Sequence, residues 1–158
     1  MPIHSISPVY NCRSTVLILG SFPSVRSREE GFFYGHPQNR FWKVISAVCG
    51  ENVPSTVEQK KELLLRHRIA LWDVVASCDI QGSSDSSMRN VVANDIASLL
   101  EQAPIAAIFV NGKTAARYYD RLIKPVVQRQ AIVLPSTSPA NAAWSLERLV
   151  EAWQVIQQ

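Results

Sequence analysis

The chain has 158 residues, of which 47% are apolar and 18% are charged, and its mean hydropathy is close to zero. These values are typical of one globular domain with a single core, and we take residues 1–158 to be that domain. No apolar run approaches the roughly 20 residues that span a bilayer, and the first residues lack a signal-peptide pattern, so we expect a cytoplasmic protein without membrane contact. The net charge of +3 is compatible with a polyanionic partner, but a general nucleic-acid binder usually carries a larger basic excess.

Short apolar runs rich in branched residues predict four buried strands. They cover residues 15–20, 69–76, 105–110 and 131–134. Amphipathic segments between and after these runs predict helices. They cover residues 39–50, 55–67, 94–103, 113–123 and 146–156. Two polar stretches, 21–38 and 77–90, predict loops, and the first is long enough to favour a functional loop.

This alternation predicts an α/β fold, a three-layer sandwich with a central four-stranded parallel sheet. Ligands of such folds bind beyond the carboxyl ends of the strands, where the connecting segments meet. Each connection that follows a strand is polar in this chain. We therefore expect Gly20, Asp73, Asn111 and Ser136 to cluster at one edge of the sheet and to mark the site.

The three cysteines, Cys12, Cys49 and Cys78, lie far apart in the chain and form no CxxC pair. Zinc and iron–sulfur sites usually draw on such closely spaced ligands. The spacing therefore favours reduced thiols, and we expect no metal site.

The loop after the first strand combines small, aromatic and polar residues in the segments GSFPSVRS (20–27) and FFYGHPQNRFW (32–42). It matches neither the P-loop nor the GxGxxG dinucleotide pattern. Small residues allow close backbone approach, aromatic rings stack, and the polar groups can form hydrogen bonds. This combination suits a nucleobase together with a phosphate.

Residues 17–50 resemble the first motif of the uracil-DNA glycosylase superfamily. The segment YGHPQNRFWKVI (34–45) is similar to the mismatch-specific uracil/thymine-DNA glycosylases, whereas GSFPS (20–24) and LPSTSPAN (134–141) are closer to the hypoxanthine-DNA glycosylase branch. The resemblance covers nearly the whole chain. It implies a monomeric, monofunctional glycosylase that needs no cofactor and acts on double-stranded DNA containing a damaged base. Hypoxanthine is the first candidate, followed by uracil and xanthine.

The chain departs from the mismatch-specific branch at Phe22, the position where those enzymes carry their catalytic asparagine. A phenyl ring can neither hold water nor polarise a base. The resemblance to the hypoxanthine branch implies Asn39 as the catalytic residue instead, with an amide oxygen that can hold the attacking water and an amide nitrogen that can donate. The alternative role of Asn39 is the N-cap of the helix that starts there.

The resemblance also implies residues around the base. Tyr34 aligns with a base-stacking aromatic, although it can equally pack within its loop. His36 can polarise the base or contact a phosphate, or it can order the loop. Asp73 can accept a hydrogen bond from N1–H of hypoxanthine, or it can bind loop N–H groups. The other residues expected in the base pocket are Gly20, Ser21 and Phe22.

The second motif of the superfamily, which grips the DNA backbone and inserts into the helix, resembles residues 136–141. Its hydroxyl and N–H groups can bind phosphates, while Pro139 and Ala140 can wedge into the gap left by the base. A capped turn into the last helix is the alternative. The residues expected to contact DNA are Ser24, Arg26, Lys113, Ser136, Thr137, Ser138, Pro139 and Ala140, and the two cations among them can instead be solvated surface charges.

Other classes of function stay open at this stage. A non-catalytic nucleic-acid or nucleotide-binding module of the same fold is favoured by Phe22. A hydrolase using Ser136 or Cys78 with a histidine has less support, because the chain contains no GxSxG elbow. Lyase chemistry needs a lysine amine, and Lys113 is the one lysine near the expected site.

Overall fold

The computed structural model describes residues 6–79 and 89–157. Its six strands are β1 (Val16–Gly20), β2 (Ile69–Asp73), β3 (Val75–Asp79), β4 (Arg89–Ala93), β5 (Ala107–Asn111) and β6 (Ile132–Leu134). Four of them form a parallel sheet in the order β2-β1-β5-β6. Every residue of the central strand β1 is buried, as its unbroken apolar sequence predicts.

The predicted strand 69–76 is interrupted at Val74, where the chain leaves the sheet. The backbone N–H groups of Val74 and Val75 donate to the carbonyls of Gly20 (2.8 Å) and Ser21 (3.0 Å). Strand β3 then pairs with β4 in a separate antiparallel ribbon. The prediction of a loop over 77–90 is therefore wrong at both ends, and residues 80–88 lie outside the described residues.

The α-helices of the described residues are α1 (Val25–Glu30), α2 (Phe41–Cys49), α3 (Val57–Arg66), α4 (Ile96–Gln102), α5 (Lys113–Tyr118), α6 (Lys124–Val127) and α7 (Leu146–Trp153). A π-helical turn, Tyr119–Ile123, joins α5 to α6, and a 3-10 turn, Gln154–Ile156, extends α7. Helix α1 lies inside the predicted loop 21–38. It forms because Ser24 caps its first turn and Gly31, with φ of 75°, ends it. No helix within the described ranges is long and apolar enough to cross a membrane.

Two apolar clusters cover the two faces of the sheet, because alternate residues of β1 point to opposite sides. Ile18 belongs to the cluster that contains Phe41 of α2 and Trp153 of α7. Leu17 belongs to the cluster that contains Leu99 of α4. The architecture is thus the predicted three-layer sandwich around four parallel strands.

An ion-pair cluster ties the end of α2 to the end of α3, at the amino-terminal edge of the sheet. Nε of Arg66 donates to Oε2 of Glu51 (3.0 Å), and His67 contacts the same carboxylate oxygen. Hydrogen bonds from Arg66, and then from His67, lower the pKa of Glu51 from 4.5 to about 2. The folded state therefore holds Glu51 ionised at a pH where the unfolded chain protonates it.

We predict that Glu51→Gln lowers the melting temperature near pH 7. A carboxyl whose pKa is lower in the folded than in the unfolded chain stabilises the fold at pH values above its unfolded pKa. This contribution is lost as the pH falls from 4.5 towards about 2. The difference in melting temperature between the wild type and Glu51→Gln should therefore shrink over that range. Because the cluster is partly exposed, the effect should be modest. The measurement is thermal unfolding from pH 7 to pH 2, with substitution of the exposed Glu101 of α4, Glu101→Gln, as the control. A difference that stays constant with pH would contradict the assignment.

Candidate active site

The carboxyl ends of the four parallel strands surround a cavity of about 290 Å³. Gly20 and Asp73 face each other in register at the ends of β1 and β2. Asn111 ends β5, and Ser136 follows β6 by one residue beyond Pro135. All four line the cavity, as expected from the polar connections.

The cavity contains most of the residues that the sequence indicates. Among them are Gly20, Ser21, Phe22, Ser24, Tyr34, His36, Asn39, Asp73, Ser136, Thr137, Ser138 and Pro139. Arg26, Lys113 and Ala140 do not line it. Its volume is near the lower end of the roughly 300–1,000 Å³ typical of small-molecule pockets. That space suits a single ring system better than a dinucleotide.

Gly20 lies where an added side chain would force two neighbouring side chains to move. A Cβ atom there would be 2.3 Å from Oδ1 of Asp73 and 2.8 Å from the hydroxyl oxygen of Tyr34. The absence of a side chain lets a carboxylate and a phenol converge at the floor of the cavity. The Asp73 side chain is buried, with the residue only 3% exposed.

Tyr34 adopts a backbone conformation that is costly for a bulky residue, with φ of 54°. One face of its ring is stacked on Phe41, with the centroids 4.1 Å apart and the planes 15° from parallel. Its hydroxyl accepts a hydrogen bond from Nδ2 of Asn111 (3.1 Å). Any stacking between Tyr34 and a base must therefore use the face opposite Phe41.

Asn39 supports the start of α2 and also lines the cavity. The helix begins at Phe41, and the intervening Arg40 makes no side-chain cap. Oδ1 of Asn39 accepts the N–H of Phe41 (2.9 Å) and the hydroxyl of Thr137 (2.8 Å). Asn39 is therefore not the N-cap of α2, because Arg40 holds that position, but its side chain supports the first turn of the helix while it lines the cavity. The oxygen that we expected to hold the attacking water is already occupied by two donors.

His36 orders its own loop, since its Nδ1 accepts the backbone N–H of Gln38 (3.1 Å). A neutral ring with Nδ1 as acceptor carries its proton on Nε2, so His36 can donate from that atom. The second motif is ordered in a similar way. The Oγ atoms of Ser136 and Ser138 accept the N–H groups of Ser138 and Ala140, both at 3.1 Å.

Arg40 is a residue that the sequence analysis missed. Its guanidinium donates to the carbonyls of Ser138 and Asn141, both at 3.1 Å, and to that of Trp144. Its backbone N–H donates to the carbonyl of Thr137 (3.1 Å). Arg40 therefore fastens the second motif to the start of α2. The sequence contained one indication of this role: Arg40 stands at the start of a predicted helix, with no acidic residue nearby in sequence to pair with its charge.

Ser27 is a second missed residue. It is 1% exposed, and its Oγ accepts the N–H of Gly35 (2.8 Å), which fixes the loop that carries Tyr34 and His36. Its role depends on α1, the helix that the sequence pattern did not predict.

The cations expected to contact phosphate lie outside the cavity. Arg26 forms an exposed ion pair with Glu30 (3.2 Å) on α1, and Lys113 is exposed at the start of α5. No lysine is among the described residues that line the cavity, so a Schiff-base lyase has no amine there. Cys78 is buried in the second core cluster, away from the cavity lining. Over the described ranges, no group of three His, Cys, Asp or Glu side chains is placed to hold a metal ion.

Comparison with known proteins agrees with the resemblance seen in the sequence. Residues 7–157 match the family model described as the uracil DNA glycosylase superfamily. The chain belongs to the uracil DNA glycosylase superfamily. Two sides of the cavity are formed by residues within 20–39 and 136–139, the segments that resemble the first and second motifs of that superfamily.

Two curated superfamily relatives are named hypoxanthine DNA glycosylase. The one from Methanosarcina acetivorans is 36% identical over 146 residues, which cover 89% of each chain. The one from Methanosarcina barkeri is 32% identical over 148 residues, which cover 92% of each chain. A solution NMR structure of a Methanosarcina acetivorans protein, provisionally described as a uracil DNA glycosylase, matches with a TM-score of 0.80 and 31% identity over 97% of both chains.

We predict that Arg40→Met destabilises the protein and loosens residues 138–144. The variant removes a charged donor from three loop carbonyls, so the loss should be about 2–3 kcal/mol. For a domain of this size that corresponds to a fall in melting temperature of roughly 5–10 °C. Thermal unfolding and hydrogen exchange of the loop measure the two effects.

Arg148→Met is the matched control for this prediction. Arg148 reaches the same loop from solvent, at 3.3 Å from the Ala143 carbonyl. Its loss should cost less than ~1 kcal/mol. Equal effects of the two substitutions would show that Arg40 is not the fastening residue.

Proposed function

We propose that this protein is a monofunctional DNA glycosylase that removes hypoxanthine from double-stranded DNA, acting as a monomer without a cofactor. The observation that carries the proposal is the single-base cavity at the carboxyl edge, closed at its floor by the Asp73 carboxyl beside Gly20. The choice of hypoxanthine draws on the names of the Methanosarcina relatives and on the hydrogen-bonding capacity of that floor.

In the proposed reaction the nucleotide leaves the helix before its glycosidic bond is broken. The glycosidic bond is inaccessible inside the base stack, and a mispaired or damaged base costs least to extrude. Once inside, hypoxanthine can donate a hydrogen bond from its N1–H to the carboxylate of Asp73. Adenine has no proton at N1 and cannot donate this hydrogen bond.

The reaction is a hydrolysis of the bond between the base and the sugar. A water oxygen adds to C1′, the C1′–N9 bond breaks with its electron pair passing to the base, and the displaced water proton ends on the base. The sugar gains oxocarbenium character as the bond breaks, and the base gains negative charge. Donors around the cavity, such as Nε2–H of His36, can stabilise that charge. We assign the main catalytic role to Asn39.

The second motif provides the contact with the DNA backbone. Pro139 and Ala140 are exposed at its tip, and Ser136 and Ser138, which carry hydroxyls, line the cavity. In the proposed complex, these hydroxyls and nearby N–H groups hold phosphates, while the tip enters the gap left by the base.

Base release from end-labelled duplexes tests the proposal directly. The substrates are matched duplexes containing one deoxyinosine, deoxyuridine or deoxyxanthosine, with undamaged duplex as the control, and alkali cleaves the abasic product. We expect release from deoxyinosine first and none from undamaged DNA. A protein that shifts the damaged duplex on a gel but releases nothing would instead be the non-catalytic binding module that Phe22 favours.

We predict that Gly20→Ala abolishes most of this activity. The added methyl group would meet the Asp73 carboxylate and the Tyr34 hydroxyl, so both must move away from the base. Displacements of about 1 Å at a reacting centre cost on the order of 10²-fold in rate. Single-turnover rates measure the loss, and thermal unfolding shows that the variant is folded. A folded variant with wild-type rates would show that Gly20, Asp73 and Tyr34 do not form the base pocket.

A further inference from the structure

The orientation of two amide side chains beside the cavity is fixed by backbone N–H groups. The N–H of Thr137 donates to Oδ1 of Asn111 (3.1 Å). A backbone N–H can only donate, so the oxygen of Asn111 must lie on that side and its nitrogen on the other. That nitrogen donates to Oγ1 of Thr137 (3.0 Å) and to the hydroxyl of Tyr34 (3.1 Å).

The same direction of donation continues from Thr137 to Asn39. Because the Thr137 hydroxyl accepts a hydrogen bond from Asn111, its own proton is available for Oδ1 of Asn39, 2.8 Å away. The backbone N–H of Phe41 donates to the same oxygen (2.9 Å). Thr137 is fully buried, so no solvent competes at the centre of this chain of hydrogen bonds.

Two donors occupy the two lone pairs of the Asn39 oxygen and leave its nitrogen facing the other way. That nitrogen donates to none of the described residues, and Asn39 lines the cavity. On the basis of the function proposed above, we infer that Asn39 presents its NH₂ group, and not its oxygen, to the substrate. Thr137 and Asn111 are the positioning residues that hold it in this orientation.

A fixed donor acts on a hydrogen-bond acceptor, and it accelerates a reaction when that acceptor gains negative charge in the transition state. The departing base carries such acceptors in its carbonyl oxygen and unprotonated ring nitrogens. Asn39 therefore assists departure of the base and does not hold the water that attacks C1′. The acceptor for that water has to be another group at the cavity.

Asn39→Asp separates these two roles. A carboxylate accepts the same two hydrogen bonds, and its charge is favourable beside the first turn of α2, so the fold should be retained. It has no proton to donate. We expect single-turnover release of hypoxanthine at pH 8 to fall by ~10²-fold or more, as for loss of other transition-state donors. Asn39→Ala is the matched variant that loses both the donor and the acceptor.

The pH dependence of Asn39→Asp distinguishes a lost donor from a disturbed fold. When the introduced carboxyl is protonated it regains a donor, so the rate relative to wild type should rise as the pH falls. A variant within about threefold of wild type at pH 8 would show that only the oxygen matters and would overturn the inference. If the wild-type protein itself releases no base, the proposed function fails, which is a separate and distinguishable result.

Substitutions of Thr137 test the positioning role without touching Asn39. Thr137→Val keeps the shape and removes the hydroxyl, whereas Thr137→Ser keeps the hydroxyl. We expect Thr137→Val to lower the single-turnover rate by ~10-fold or more with little change in binding of the damaged duplex, because the donor is no longer held in place. Thr137→Ser should restore the rate. Equal rates for the two variants would overturn the positioning role.

Discussion

The site depends on a chain of hydrogen bonds that joins three separate segments of the sequence. It runs from Asn111 at the end of β5, through Thr137 after β6, to Asn39 before α2. Removing the side chain of Asn39 or Asn111 leaves a polar group of the fully buried Thr137 without its partner, which costs about 1–3 kcal/mol. Because Asn111 also holds the Tyr34 hydroxyl, both walls of the cavity take their position from this connection.

Much of the fold follows from the periodicity of apolar residues. The four parallel strands and their order along the chain could be predicted because buried strands have unbroken apolar sequences. The break at Val74 could not, because Val74, Val75 and Ala76 form a further apolar run directly after Asp73. The side chain of Asn94 contributes to holding this bend, because it donates to the carbonyls of Asp73 (2.9 Å) and Val75 (3.3 Å) from about twenty residues away. Such a distant hydrogen bond leaves no local signal.

The residues that line the cavity could largely be predicted, but their geometry could not. Polar residues after parallel strands meet at one edge whatever their detailed contacts, which is why Asp73 and Ser136 could be assigned to the same cavity. The direction of the Asn39 amide depends on Thr137, 98 residues later, and on the N–H of Phe41. Arg40 likewise acts on carbonyls about a hundred residues away. Sequence patterns identify residue types, whereas orientation comes from contacts between distant segments.

The double use of Asn39 affects how its occurrence in other chains should be interpreted. One atom of the side chain anchors a helix and a neighbouring loop, while another faces the cavity. A lineage that stopped acting on DNA would still be under pressure to keep this asparagine, because losing it weakens the domain. An asparagine at this position in a distant sequence is therefore poor evidence of activity by itself. A glycine equivalent to Gly20 is a better marker, because a side chain there would displace the Asp73 carboxylate and the Tyr34 hydroxyl at the floor of the cavity.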